Sequence, residues 1–153
     1  MLSGLNKDKV KDLTKDLNQL LANFQVYYKN LCGLHWNIKG KTFFVLHEKF
    51  KELYTDAQEK IDMVAERILT LEGAPLHTFE DYMEESAIPV GKGITKDTEA
   101  VQLILDSLQG LLKIERGILD KSGDADDEGT NALMSDFISE QEKTVWMFKS
   151  WLG

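Results

Sequence analysis

The sequence predicts an all-α protein: a four-helix bundle with a short extra helix in one long crossover. Three observations predict it. Apolar residues recur at alternating threes and fours through four segments, the pattern of helices that each bury one face. Only two prolines occur in 153 residues, fewer than a many-turned β fold would use. Residues 73–96, between the second and third segments, form a connection too long for a tight turn.

The first segment carries Val10, Leu13, Leu17, Leu20, Phe24, Tyr27, Leu31 and Leu34 on one face. The stretch NIKGKT, residues 37–42, interrupts it with a glycine and a single apolar residue, Ile38. A second helix follows through Leu46, Phe50, Leu53, Ala57, Ile61, Val64, Ile68 and Leu71, and Gly73 and Pro75 are placed to end it. In the crossover, FEDYMEES has the composition of one short helix of two turns. Thr95 or Asp97 is the expected cap of a third long helix, with Val101, Ile104, Leu108, Leu111, Leu112, Ile114 and Ile118 inward and Gly123 as its stop. The segment DADDEGT then leads into a fourth, bearing Leu133, Phe137, Ile138, Val145, Phe148 and Leu152. Two helical hairpins joined by one long crossover make the ferritin-like four-helix bundle. A simple up-down bundle with a loose loop is the alternative.

Length and composition fit a single domain over residues 1–153 with a core of its own. The one cysteine, Cys32, lies between Leu31 and Leu34 and reads as a small buried thiol in a reducing compartment. The N-terminus has no apolar run of a secretory signal, and no stretch has the length of a membrane helix, so a cytoplasmic address is expected. The net charge of −8 argues against a surface that grips nucleic acid throughout, because phosphate would be repelled.

Chemistry enters with the histidines. The chain has three, and His35 and His47 flank the break between the first two helices. Antiparallel helices joined by a short loop bring these positions together, and two imidazoles there make half of a metal site suited to iron or zinc. Either histidine alone reads first as a hydrogen-bonded residue at a helix end; it is the two at one end that bring in a metal site. An in-bundle di-iron centre of the usual Glu-x-x-His kind is not expected, since Cys32, Phe44 and Ala74 stand three residues before His35, His47 and His77.

On the second helix Asp62 and Glu66 share a face at i, i+4, on or beside the apolar stripe, where a carboxylate is costly unless paired or bound to metal. Glu59 and Lys60 read instead as a solvated face. His47 and Asp62 are fifteen residues apart, about 22 Å along an unbroken helix, so one chain cannot bring both to one ion. Two copies packed second helix against second helix about a twofold axis could, and would make two identical sites per dimer.

These residues resemble the Dps family, the mini-ferritins known as DNA-binding proteins from starved cells. The resemblance is carried by His35-Trp36-Asn37, by His47 twelve residues later, by IDMVAER with Asp62 and Glu66, and by the late TVWMFKSWLG. It spans essentially the whole chain. It implies a hollow dodecamer whose ferroxidase centres, between twofold-related subunits, oxidise Fe(II) with hydrogen peroxide in preference to oxygen. Ferric oxyhydroxide would be stored inside, protecting the cell from oxidative stress. Carried over residue by residue, the iron ligands are His35 and His47 of one subunit and Asp62 and Glu66 of the next, with Trp36 stacked nearby or serving as a helix-end anchor.

One position departs from the family pattern. Four residues after His47 the family usually has a carboxylate; here Lys51 stands there. Of the two irons per centre in the family, the second is therefore in doubt, because an ammonium repels a second Fe(II) or else pairs with a nearby carboxylate. The reading is one tight iron at His47, Glu66 and Asp62 and a weak one near His35.

Asp124, Asp126, Asp127 and Glu128, with Asp136 beyond, form the acidic cluster where the family has its threefold pores; a solvated acidic loop is the plainer reading. His77 reads as a loop residue without a role. Lys7, Lys9, Lys11 and Lys15 alternate with Asp8, Asp12 and Asp16 at the start of a helix, a pattern of surface ion pairs rather than a phosphate-binding arm. DNA binding is accordingly expected to be weak or absent. A DNA-compacting protein with reduced iron chemistry, and an inert structural bundle, are the competing readings.

Overall fold

The computed structural model describes residues 1–153. Five helices form in the order α1 (Lys7–Asn37), α2 (Phe43–Thr70), α3 (Phe79–Glu85), α4 (Asp97–Asp124) and α5 (Glu128–Leu152), with no strand. α1 packs on α2 and α4 on α5, α1 also meets α4, and α3 lies against α1. The expected bundle of two hairpins and a crossover is the one observed, including a seven-residue α3 where FEDYMEES predicts it. No helix is long and apolar enough to cross a membrane.

All eight apolar positions of the first stripe are buried in a continuous core, with Phe24 edge-on to Phe137 across the bundle. Cys32 is buried as a free thiol. In the other stripes Ile61, Leu112, Ile114, Leu133 and Val145 are only half-buried, and Leu152 is exposed because it ends α5 beyond the core.

The helix ends correct three expectations. Gly73 and Gly123 are not the left-handed residues that close α2 and α4. Glu72 and Asp126 take that conformation, with φ of 64° and 55°. Gly73 N–H then donates to Ile68 O and Asp127 N–H to Ser122 O, each at 2.9 Å, the six-residue closure of a Schellman motif. Gly73 is instead tightly packed: a Cβ there would lie 3.0 Å from Thr14 Cγ2, which would have to give way. At the start of α4 neither Thr95 nor Asp97 caps. Lys96 holds the cap position without a side-chain bond, and Asp97 accepts a hydrogen bond from Thr42 Oγ1 at 2.9 Å.

The crossover is tied to α1 by three asparagines in the middle of that helix. Asn18 bonds Ala74 O and Leu76 N–H, Asn23 accepts from Ala87 N–H, and Asn30 bonds Pro89 O and Gly91 N–H, all at 2.8–3.0 Å. Each side-chain amide offers a donor and an acceptor, so it satisfies loop backbone that no helix would.

The charged residues at the start of α1 do not pair among themselves. Asp12 and Asp16 both reach Lys121 of α4, at 3.1 and 2.7 Å, and Lys9 Nζ donates to Asp124 O. Asn6 caps the helix by accepting from Asp8 and Lys9 N–H.

Candidate metal centre

The loop between α1 and α2 turns at Gly40, whose φ of 116° favours glycine. Ile38 buries its side chain beside the turn. Lys39 N–H donates to Thr95 O at 2.9 Å, so this end of the hairpin is fixed to the approach to α4.

There His35 and His47 meet. Their rings are stacked with centroids 3.9 Å apart and planes within 8°. His35 Nδ1–H donates to His47 O at 2.5 Å, and His47 Nδ1–H donates to His35 O at 2.7 Å. A carbonyl oxygen can only accept, so each Nδ1 carries the hydrogen, and in the neutral ring each Nε2 keeps its lone pair. Both rings are thus held in the tautomer a metal ligand needs, by the backbone of the opposite helix. Phe43 stacks on His47 with centroids 4.7 Å apart, and Tyr54 meets the His35 ring edge-on at 5.5 Å. His35 is buried and His47 half-buried. Trp36 is exposed, with Lys29 Nζ 5.8 Å from its ring centroid.

Asp62 and Glu66 are not brought to this end. α2 runs unbroken from Phe43 to Thr70, which puts them about 22 and about 28 Å along the helix from His47. Nowhere in the single chain do three His, Cys, Asp or Glu side chains gather closely enough to hold one ion. Both carboxylates are exposed on α2 and form no ion pair.

This reverses one expectation. Lys60, expected on a solvated face, is 4% exposed, whereas Asp62 and Glu66 stand beside the stripe, one of the two placements expected for them. Its ammonium reaches Asp56 Oδ2 at 2.6 Å and Glu140 Oε2 at 2.8 Å, crossing between α2 and α5 over the Phe137 ring. Lys51, one turn beyond His47, is exposed and pairs with no carboxylate of its own chain.

The acidic cluster also divides. Asp127 is 1% exposed and faces inward. It caps α5 by accepting from Thr130 N–H and receives the Arg67 guanidinium at 2.6 Å. Its charge is therefore spent inside the fold, whereas Asp124, Asp126, Glu128 and Asp136 remain exposed. Arg67, not singled out from the sequence, follows Glu66 directly and ties α2 to the start of α5 through Asp127 and Thr130. Gly129 leaves room for it: a Cβ there would stand 2.6 Å from the guanidinium. His77 is exposed in the crossover, its Nδ1–H donating to Pro75 O, as a loop histidine would.

Comparison with known proteins agrees with this architecture. A ferritin-like domain model matches residues 14–153. The chain is 42% identical to a DNA protection during starvation protein of Porphyromonas gingivalis, over 98% of this chain and 94% of that one. It superimposes with a TM-score of 0.98 on a Dps protein of Vibrio cholerae O1, described as a member of a superfamily of ferritin-like diiron-carboxylate proteins, at 48% identity with 100% and 96% of the two chains covered. A Dps protein of Bacillus brevis gives a TM-score of 0.92 at 35% identity, covering 95% of this chain and 98% of that one. With the paired histidines and the crossover helix in place, and with near-complete relatives at these identities, the chain belongs to the Dps family of ferritin-like proteins.

Proposed function

We propose that this protein is a mini-ferritin that oxidises Fe(II) at centres shared between two subunits and stores the ferric product in a hollow dodecamer. The observation that carries the reading is the stacked His35–His47 pair, whose Nδ1 hydrogens are committed to backbone and whose Nε2 atoms are left to coordinate. Imidazole suits Fe(II) and carboxylate suits the harder Fe(III). The exposed Asp62 and Glu66 supply the carboxylates when a second copy packs its α2 antiparallel against the first. That each chain holds only half a donor set supports a site completed by assembly.

The chain's own residues bind and orient the substrate iron. His47, with Glu66 and Asp62 of the other copy, holds one Fe(II) tightly, and His35 faces a weaker second position. Two Fe(II) each give one electron to hydrogen peroxide, which leaves as two hydroxides, so no hydroxyl radical escapes. Lys51 stands on the His47 side of α2 with its charge unneutralised within the chain, and it disfavours the second iron. Asp124, Asp126, Glu128 and Asp136 draw cations toward the shell interior. The protein acts in the cytoplasm as a single-domain subunit.

The test is peroxide-dependent Fe(II) loss by the assembled protein. His47→Ala or Glu66→Ala is expected to slow it at least about tenfold, the effect of losing a ligand or its support. Unchanged rates in both variants would remove the proposal. DNA protection, the role in the names of several relatives, is the second reading. α1 gives it little support, because Asn6 fixes its first turn in the helix and its lysines alternate with aspartates.

A further inference from the structure

A second polar cluster lies inside the bundle, built by residues the metal centre does not use. Glu115 of α4 is 0% exposed and Gln141 of α5 is 4% exposed. Gln141 Nε2 donates to Glu115 Oε2 at 2.8 Å. The other oxygen of each group, Glu115 Oε1 and Gln141 Oε1, is buried with no hydrogen-bond partner. These are the only buried side-chain polar atoms in the chain left in that state, and they belong to two side chains already bonded to each other.

Two acceptors without a donor are costly in a core, and one proton removes both deficits. A carboxylic acid and a primary amide can close a reciprocal pair: N–H to one carboxyl oxygen, O–H from the other to the amide oxygen. We propose that Glu115 is held as the neutral acid in such a pair with Gln141, an internal latch between α4 and α5 that opens when the acid ionises.

The surroundings agree. Lys60 from α2 is the cation that acts most strongly on Glu115, but its hydrogens go to Asp56 and Glu140, and it makes no hydrogen bond to Glu115. Tyr27 of the remaining helix, α1, is buried too and lies within electrostatic reach of both Asp56 and Glu115. Arg116, the neighbour on α4, is exposed and pairs with Glu142. Burial pushes the Glu115 carboxyl up to about 9, against the opposing pull of Lys60 and Arg116.

The sign of the pH effect follows. An acid whose folded value lies above its unfolded value of 4.5 binds its proton more tightly when folded. Its contribution is complete below the unfolded value and is lost as pH rises toward the folded one. Glu115→Gln keeps both hydrogen bonds, since an amide–amide pair closes in the same way, but carries no titrating proton.

Chemical denaturation of the full-length wild type and of Glu115→Gln, with pH raised from about 6 to about 8, tests the latch. The folding constant of the wild type relative to the variant is expected to fall by up to about tenfold per pH unit. An infrared band of a protonated carboxyl should be present in the wild type at neutral pH and absent from the variant. Parallel pH profiles, a missing band, or a Glu115→Gln protein that fails to fold would each overturn the proposal.

Discussion

His35 and His47 show how much two side chains can specify without touching a metal. Each imidazole gives its Nδ1 hydrogen to the carbonyl of the other's residue, so neither ring can rotate without breaking a bond to the facing helix. The pairing was legible in the sequence, because a short interruption between two long apolar stripes places both histidines at one end. The tautomer was not, since it depends on which backbone oxygens face the rings: His35 O near the end of α1 and His47 O in the second turn of α2. Lys51 is the other decisive side chain. If its ammonium is what weakens the second iron position, Lys51→Asp should raise tightly bound iron from one to two per centre. Iron titration with anomalous scattering on loaded crystals reads this; two full irons in the unaltered protein would show that the lysine is no obstacle. Lys60 marks where the expectation fails, since it was placed on a solvated face and is buried. It stands three residues after Ala57 and four before Val64, so the helical period puts it on the apolar face despite its charge. Lys60 is tolerated there because a long aliphatic stem reaches two carboxylates at the rim.

The helices were readable because their apolar positions repeat, and their ends less so because end chemistry is local and varied. Glu72 and Asp126 serve where glycine was expected, and three asparagines hold the crossover on either side of α3. Arg67 is one of two side chains that link α2 to α5 or its cap, with Lys60 the other. Arg67→Ala would leave Asp127 buried and unpaired, a loss of about 3–5 kcal/mol by the usual cost of breaking a buried ion pair. Gly129→Ala should cost about 1–3 kcal/mol, the ordinary range for overpacking, as its Cβ displaces the guanidinium. Denaturant midpoints of both variants check these values. A Gly129→Ala protein as stable as the wild type would mean that the guanidinium has room to move aside. Because Arg67 adjoins Glu66, the same variants should also show slower Fe(II) oxidation.

For the molecule as a whole, the half-built donor set matters more than any single contact. The fold places two histidines at one end of α2 and two exposed carboxylates about 22 to 28 Å along it, with no bend to bring them together. Among the exposed apolar residues, Phe44 and Met63 lie on α2, Phe79 and Met83 on α3 and Val90 in the crossover, all off the inward stripes. A net charge of −8 and an α1 whose lysines alternate with aspartates predict little retention of DNA by the assembled shell at physiological salt. A gel shift that is tight and salt-sensitive would contradict that. The sharing of the site has a direct genetic test. Subunits bearing His47→Ala and subunits bearing Glu66→Ala are each expected to oxidise Fe(II) poorly when assembled alone. Co-assembled in equal amounts, half the dimers are mixed, and each mixed dimer has one centre with both substitutions and one with neither. Peroxide-dependent Fe(II) oxidation should then return to about one quarter of the wild-type rate. Activity that stays at the level of the separate variants would contradict a centre built from two chains.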